Sequence, residues 1–331
     1  MTQSKKNCEY YFWCCDFYSN TGEGKLAHLF IYYFLKVFKK KIIQIRFNKK
    51  NIFISRKILK KNNYFISNKI NFNFLFKYVY PFYGIFMLWI NFFKNKKIFY
   101  INYLPLWNFF IFLLAPPTTN FGPITGAYYK GKIYNLNTII RKYIFPILYR
   151  FSYFLLLTRN KKLFFSNNEF YELFKKKNHI DQVFNFQILY LYNKKIIKKK
   201  KVIDFLIYYR NHNNKNYYLL GKILKFFPQN KIFCIGDNLL YKNIKNLGVV
   251  SDNRVKYLLS KTKNTYITAE NSLSFYCLDS ILNSVIIFPK NIKFNTNIIL
   301  KKKKSFSVYN INKKRLNYLH SHTISNLKKL F

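Results

Sequence analysis

The chain has 331 residues, half of them hydrophobic and 21% aromatic, which supplies ample core and excludes a disordered chain. Lys and Arg number 58 against 11 Asp and Glu, a formal net charge of +47 that at face value suits nucleic acid or an anionic membrane surface. Only eight of the cations are Arg, and the excess Lys comes with much Asn, Ile, Phe and Tyr, all with codons rich in A and T; a compositional bias explains the charge without a partner and makes each acid informative.

Residues 1–8 are polar and hold no apolar core, so no secretory signal is expected there. Residues 10–17 are apolar and predict a buried strand, followed by a glycine-containing turn at 20–24 and a helix over 25–38. Strands are predicted at 42–47, 52–54 and 98–103, and a helix over 81–94. The stretch 98–129 carries no charge, but Pro105, Pro116, Pro117 and Pro123 interrupt it, which argues against a membrane span. A strand at 163–166 runs into a helix over 169–177. The second half repeats the rhythm, with strands at 202–208, 231–235, 265–268 and 284–288 and helices near 217–227, 255–261 and 274–282. Such alternation predicts an α/β fold with parallel sheets and helices on both faces. The Lys-terminated stretch 178–201 is the expected boundary. It leaves an N-terminal domain at 1–178, a C-terminal domain at 179–311 and a tail at 312–331, expected to form a helix packing back on the first domain. Cys8, Cys14, Cys15, Cys234 and Cys277 form no CxxC pair, which fits buried thiols in a reducing compartment better than a zinc site.

Ligands of open α/β sheets bind at the carboxyl ends of strands, so polar residues just after predicted strands are the candidates. After the first strand come Thr21, Gly22, Glu23 and Gly24, which offer close backbone approach and a helix N-terminus to an anion, although a tight turn accounts for them too. Arg210 and Lys215 follow the strand at 202–208 and suit a diphosphate, Arg by its fork and Lys as a point charge; a solvated basic loop is the plain alternative. Glu270, Asn271 and Ser272 follow the strand at 265–268, and a helix opening near Ser274 carries Asp279. Acids there can hold sugar and ribose hydroxyls while the helix N-terminus meets phosphate, or they can simply cap and solvate. Gly122 and Gly126, with Pro123, mark a rigid loop or a plain turn. His28, His179, His212, His320 and His322 form no convincing triad or metal cluster.

Taken in order, these loops resemble the GT-B glycosyltransferases, especially the retaining enzymes of the family-four type. Arg210 and Lys215 match that family's Arg-x4-Lys, Leu247-Gly248-Val249-Val250-Ser251 its Gly–aliphatic–Ser turn, and Glu270 and Asp279 its paired acids, here with eight residues between them, one more than usual. Residues 21–24 and 122–126 match its N-terminal glycine segments, while Asn216 stands where the family usually has Gly. The Glu270-Asn271 pair is also similar to GT-B fucosyltransferases. The resemblance implies two Rossmann-like domains facing each other across a cleft, with no metal and no cofactor. Arg210, Lys215, Ser272 and Ser274 would hold the donor diphosphate, and Glu270, Asn271 and Asp279 the sugar and ribose, with Glu270 catalytic. Gly248 and Val250 would lie on the base side, and Thr21, Gly22, Glu23, Gly24, Gly122 and Gly126 would form the acceptor-side loops.

The expected function is therefore transfer of a sugar from a nucleotide-sugar donor to a glycan or lipid-linked acceptor, in surface polysaccharide or glycolipid synthesis. The expected location is cytoplasmic, with the basic, aromatic-rich first half able to rest on an anionic inner membrane face. No nucleic-acid partner is expected under this reading. The competing expectation, a non-enzymatic nucleic-acid binder, uses the charge and the aromatics but leaves Glu270-Asn271 and the glycine loops unexplained. A polytopic membrane protein needs clean spans that the sequence lacks.

Overall fold

The computed structural model describes residues 8–17, 21–39, 42–47, 50–55, 74–102, 104–126, 128–129, 136–159, 162–167, 170, 174, 182–192, 194–197, 199–211, 217–225, 231–241, 244–268, 273–289, 300–302 and 309–330. The fold is α/β, and the chain divides into two compact units, Met1–Phe186 with Ser321–Phe331, and Gln187–His320.

In the first unit, β1 (Tyr10–Trp13), β2 (Ile43–Phe47), β3 (Lys50–Ile54), β4 (Lys97–Tyr100) and β5 (Asn120–Phe121) form a sheet in the order β3-β2-β1-β4-β5. All pairs are parallel except the β2–β3 hairpin at the edge. Central β1 buries all four of its side chains, as a strand covered on both faces must. On one face Phe12 stacks on Phe99 at 4.3 Å and meets Phe34 of α1 (Gly22–Val37) edge-on at 5.0 Å. On the other, Trp13 packs on Tyr80 and Tyr83 of α2 (Phe74–Phe93), at 4.7 and 5.6 Å. Gly84 permits that approach, since a Cβ there would lie 2.2 Å from Trp13 Nε1.

Several boundaries differ from expectation for physical reasons. Strand pairing of β1 stops at Trp13 instead of running to 17, because the backbone N–H groups of Cys15 and Asp16 turn to the Asn102 side chain. Helix α1 starts at Gly22 rather than at 25, because Thr21 caps it. Helix α2 starts at Phe74, ahead of the expected 81, with Pro81 inside it at the loss of one helical N–H. The uncharged stretch 98–129 holds β4, a short helix α3 (Phe109–Leu114) and β5, followed by parallel bridges Pro105↔Thr125 and Ile124↔Phe165. Helix α4 (Leu136–Ile139), a π-helical turn over Ile140–Ile144 and α5 (Phe145–Arg159) form a continuous helical stretch that the sequence pattern did not predict. Strands β6 (Leu163–Phe164) and β7 (Gln182–Val183) pair in parallel, and the helix expected over 169–177 falls almost wholly outside the described residues. Among the described residues no helix is long and apolar enough to cross a membrane.

The second unit repeats the plan with β8 (Ile203–Tyr209), α6 (Leu220–Leu224), β9 (Ile232–Gly236), β10 (Ile244–Asn246), α7 (Asp252–Lys261), β11 (Thr262–Tyr266), α8 (Phe275–Leu282) and β12 (Ile286–Phe288). Its sheet runs β10-β9-β8-β11-β12 and every pair is parallel. Alternation in β8 serves opposite faces: Phe205 and Ile207 pack with Leu220, Leu224 and Cys234, while Leu206 between them packs with Leu258, Leu259 and Val285, a cluster that Ile203 joins from the start of the strand. Strand β10 was not predicted, and β11 lies earlier than its expected 265–268. The hairpin β13 (Leu300–Lys302) with β14 (Tyr309–Ile311) and the helix α9 (Lys313–Lys329) complete the chain. Both sheets place their unit's first strand at the centre and its fourth on the far side, an order consistent with Rossmann-like folds.

Candidate functional site

In the second unit the strand order reverses between β8 and β11, and the crevice outside the carboxyl ends of those strands is where such sheets take ligands. Arg210 follows β8 directly and is exposed. Its backbone N–H donates to the Tyr217 hydroxyl at 3.2 Å, and that hydroxyl donates to the Tyr208 carbonyl at 3.2 Å. Tyr208, Tyr217 and Tyr266, with Thr268, Ser274 and Tyr276, line a small notch at this edge. Ser274 caps α8, its Oγ accepting from the Cys277 N–H at 3.2 Å, so that the helix N-terminus and its remaining N–H donors open here.

Asp237, just after β9, holds the same edge from the side. Its Oδ2 accepts from the Asn211 N–H at 2.7 Å and so fixes where the basic loop leaves β8. Gly236 makes the turn, with φ +101 and a would-be Cβ 2.2 Å from the Tyr209 carbonyl oxygen. Its N–H donates to the Gly248 carbonyl at 2.9 Å. Gly248 lies at φ +65, and Val250 beside it packs on the hydrophobic core around Ile203 and Leu206. Asp279 lies elsewhere, buried in α8, where its carboxylate accepts from the Tyr190 hydroxyl at 2.9 Å. Burial, then the Asp279 charge, raises the Tyr190 phenol far above its ordinary range, so it stays a donor.

The corresponding edge of the first unit is knitted together by a single amide. Asn102, fully buried after β4, accepts at Oδ1 from the N–H groups of Cys15 (3.0 Å) and Asp16 (3.2 Å) and from the Cys14 thiol (3.4 Å). Its Nδ2 donates to the Glu23 carbonyl at 3.1 Å and to the Asp16 carbonyl. The Thr21 hydroxyl donates to Asp16 Oδ2 at 2.6 Å and accepts from the Gly24 N–H at 2.9 Å. The end of β1, the end of β4 and the first turn of α1 are thus one network, with Thr21, Glu23 and Gly24 inside it. Gly22 opens α1 with nothing within 4 Å of a would-be Cβ. Gly122 follows β5 where a Cβ would lie 2.5 Å from the Ile101 carbonyl oxygen, and Gly126, at φ +152, lies against the Phe170 ring.

His28 on α1 stacks on Phe17 at 4.0 Å and shares a hydrogen bond with the Phe17 carbonyl. Burial lowers its pKa to about 4, so the imidazole is neutral near pH 7. The five cysteines are buried thiols, and burial lifts Cys15 to about 12 and Cys234 to about 11, which removes them as nucleophiles. Among the described residues no group of three His, Cys, Asp or Glu side chains is placed to hold a metal ion.

The structure therefore brings Arg210, Ser274 and the tyrosine notch to one sheet edge, with Gly248 tied to the neighbouring strand end, and brings Thr21, Glu23 and Gly24 into one network of the other unit. Lys215, Glu270, Asn271 and Ser272 lie outside the described residues. Sequence reasoning missed Asp16, Asn102 and Asp237 as organisers of these edges. For the two acids a signal existed, since each of the eleven stands out: Asp237 directly follows β9, and Asp16 interrupts the apolar run 10–17; Asn102 is hidden among many asparagines. No protein-family model matches the chain, and no curated protein does so either.

Proposed function

We propose that the chain is a nucleotide-sugar-dependent glycosyltransferase of the GT-B type. The observation that carries this reading is the edge of the all-parallel sheet in Gln187–His320, where Arg210, a capped helix N-terminus and an aromatic notch meet at the reversal of strand order. In this reading Arg210 and Lys215 receive the donor diphosphate, and Ser272, Ser274 and the first N–H groups of α8 complete its cradle. The tyrosine notch offers flat apolar surface to the rest of the donor.

Glycosyl transfer breaks the bond from the anomeric carbon to the diphosphate and forms one to an acceptor hydroxyl, whose proton must be taken up. The departing diphosphate gains charge in that step, so cations and oriented N–H donors stabilise the transition state more than the ground state. Glu270 and Asn271 hold the sugar and Glu270 the ribose. Asp279, buried against Tyr190, acts by positioning α8. The Thr21–Asp16–Asn102 network supports the acceptor side, and the acceptor is a glycan or lipid-linked sugar.

The test is thermal stabilisation and calorimetric binding with UDP-, GDP- and CMP-sugars, followed by release of the nucleoside diphosphate on adding acceptor glycolipids. One donor should stabilise the protein, and Arg210→Ala should abolish that shift while leaving the melting of the unliganded protein in place. If no donor binds, glycosyl transfer is the wrong reading.

A further inference from the structure

The first unit carries exposed apolar side chains in a pattern that its core does not use. On α2, Val79, Phe82, Phe86 and Phe93 are exposed at helical spacing, on the side where a surface helix is ordinarily polar. On α3, Phe110, Leu113 and Leu114 share one face and are exposed too. Along the π-turn and α5, Ile144, Ile147, Phe151 and Phe154 recur at intervals of three and four and form a third exposed stripe.

These stripes join into one surface. Phe86 and Phe93 stand one turn either side of Trp89, whose Nε1 donates to the Leu114 carbonyl at 2.9 Å. Phe109 meets Phe151 at 5.3 Å, and Arg159 of α5 donates to the Phe112 carbonyl. Ile147 is 68% exposed, Phe86 59% and Phe154 57%, far too much contiguous apolar surface to be incidental scatter. Cations border it: Lys94 follows Phe93, Lys142 and Arg141 lie on the π-turn, and Arg150 sits one turn from both Ile147 and Phe154. No acid occurs anywhere between Glu23 and Glu169.

We infer that the joined face of α2, α3 and the helix through α5 docks the protein onto an anionic lipid bilayer, the apolar stripes entering the interface and the cations meeting headgroup phosphates. Charge decides between the possible occupants. A second copy of the chain would pair the same patch with itself and set Lys142 and Arg150 against further cations with no acid to answer them. Single-stranded nucleic acid wants successive aromatic platforms, whereas Val79, Leu113, Leu114, Ile144 and Ile147 stand among the six phenylalanines here and offer a base nothing to stack on. Since no described helix can cross the bilayer, the face lies on the membrane. The inference stands apart from glycosyl transfer and can fail or hold without it.

The experiment is co-sedimentation of the full chain with phosphatidylcholine vesicles, with and without phosphatidylglycerol, at physiological salt. Binding should require phosphatidylglycerol. Joint replacement Phe86→Ser, Ile147→Ser and Phe154→Ser should lower partitioning by at least about tenfold. Lys142→Gln and Arg150→Gln should each lower it on the order of fivefold. Brominated acyl chains should quench the fluorescence of Trp89 and of Trp107, which stacks on Phe145 of α5 at 5.3 Å, in the unmodified protein, a readout that needs no variant to fold. Absence of binding, binding untouched by the triple replacement, or no quenching overturns the inference. So does a lipid-free dimer, or an oligonucleotide complex, that the triple replacement dissolves.

Discussion

At the carboxyl edge of the sheet in Met1–Phe186, one buried amide, Asn102, ties β1, β4 and α1 together; at the corresponding edge in Gln187–His320 the strands end in exposed Arg210 and Asp237. The same strand order thus supports two different economies of polar groups. The first edge spends its donors and acceptors on itself, and a fully satisfied buried network is rigid and intolerant of loss. The second uses one carboxylate to fix the start of a basic loop and leaves the guanidinium in solvent, which is how a rigid scaffold presents groups to a ligand.

The largest effect should therefore come from Asn102→Leu. It removes the buried acceptor of the Cys15 and Asp16 N–H groups together with the bonds from Asn102 Nδ2, and should cost about 4 kcal/mol in urea unfolding. Asp237→Ala, the nearest counterpart at the second edge, removes a bond to a solvent-exposed turn and should cost less than about 1 kcal/mol. Comparable losses from the two would erase the contrast between a closed and an open edge.

A pH series sharpens the same contrast. The His28 pKa, lowered to about 4 in the folded chain by burial against Phe17, lies below the ordinary histidine value. Between that value and pH 4 the unfolded chain binds the extra proton, so the contribution is full above about pH 6.5 and is lost as pH falls towards 4. The loss should be on the order of 3 kcal/mol by the usual conversion. Urea unfolding at successive pH values should show it, and His28→Phe, which keeps a ring on Phe17, should flatten the profile. An unchanged slope in that variant would mean the imidazole is already solvated.

Much of this was legible in the sequence, and the exceptions share a cause. The strands at 42–47, 202–208 and 231–235 were readable because apolar runs ended in polar or glycine residues, and the α/β class followed from their rhythm. Arg210 and Ser274 were legible as strand-end and helix-start residues. Helix α5 escaped notice because Ile147, Phe151 and Phe154 are apolar on its exposed side, which destroys the amphipathic period that marks a surface helix. Gly22 and Gly24 read as a ligand-approach loop, yet they begin a helix, since a Thr cap and a glycine loop look alike until the following residues are seen to coil. Asn102 could not be read at all, because its importance is a tertiary fact created by two strand ends meeting.

Glycine replacements distinguish the two edges at smaller scale. Gly236→Ala places a Cβ 2.2 Å from the Tyr209 carbonyl at φ +101, and should cost about 2–3 kcal/mol in thermal or urea unfolding. Gly22→Ala enters open space at the start of α1 and should be neutral or stabilise by up to about 1 kcal/mol. The turn at Gly236, which brings Asp237 beneath Asn211, therefore demands glycine, whereas the opening of α1 at Gly22 does not.

The smallest expected change in stability is the most informative about function. Arg210 is exposed, and among the described residues only its backbone N–H is engaged, by the Tyr217 hydroxyl, a bond that Arg210→Ala keeps. Its unfolding free energy should stay within about 0.5 kcal/mol of the unmodified chain. A guanidinium that forks onto a diphosphate is nevertheless worth a large share of donor affinity, so the stabilisation by a nucleotide-sugar should vanish in the same variant. Arg210→Lys should restore little of it, because a point charge reproduces the sign of the group without the paired donors. A variant that melts several degrees lower without ligand would instead assign Arg210 to the scaffold, and the second edge would then be as closed as the first.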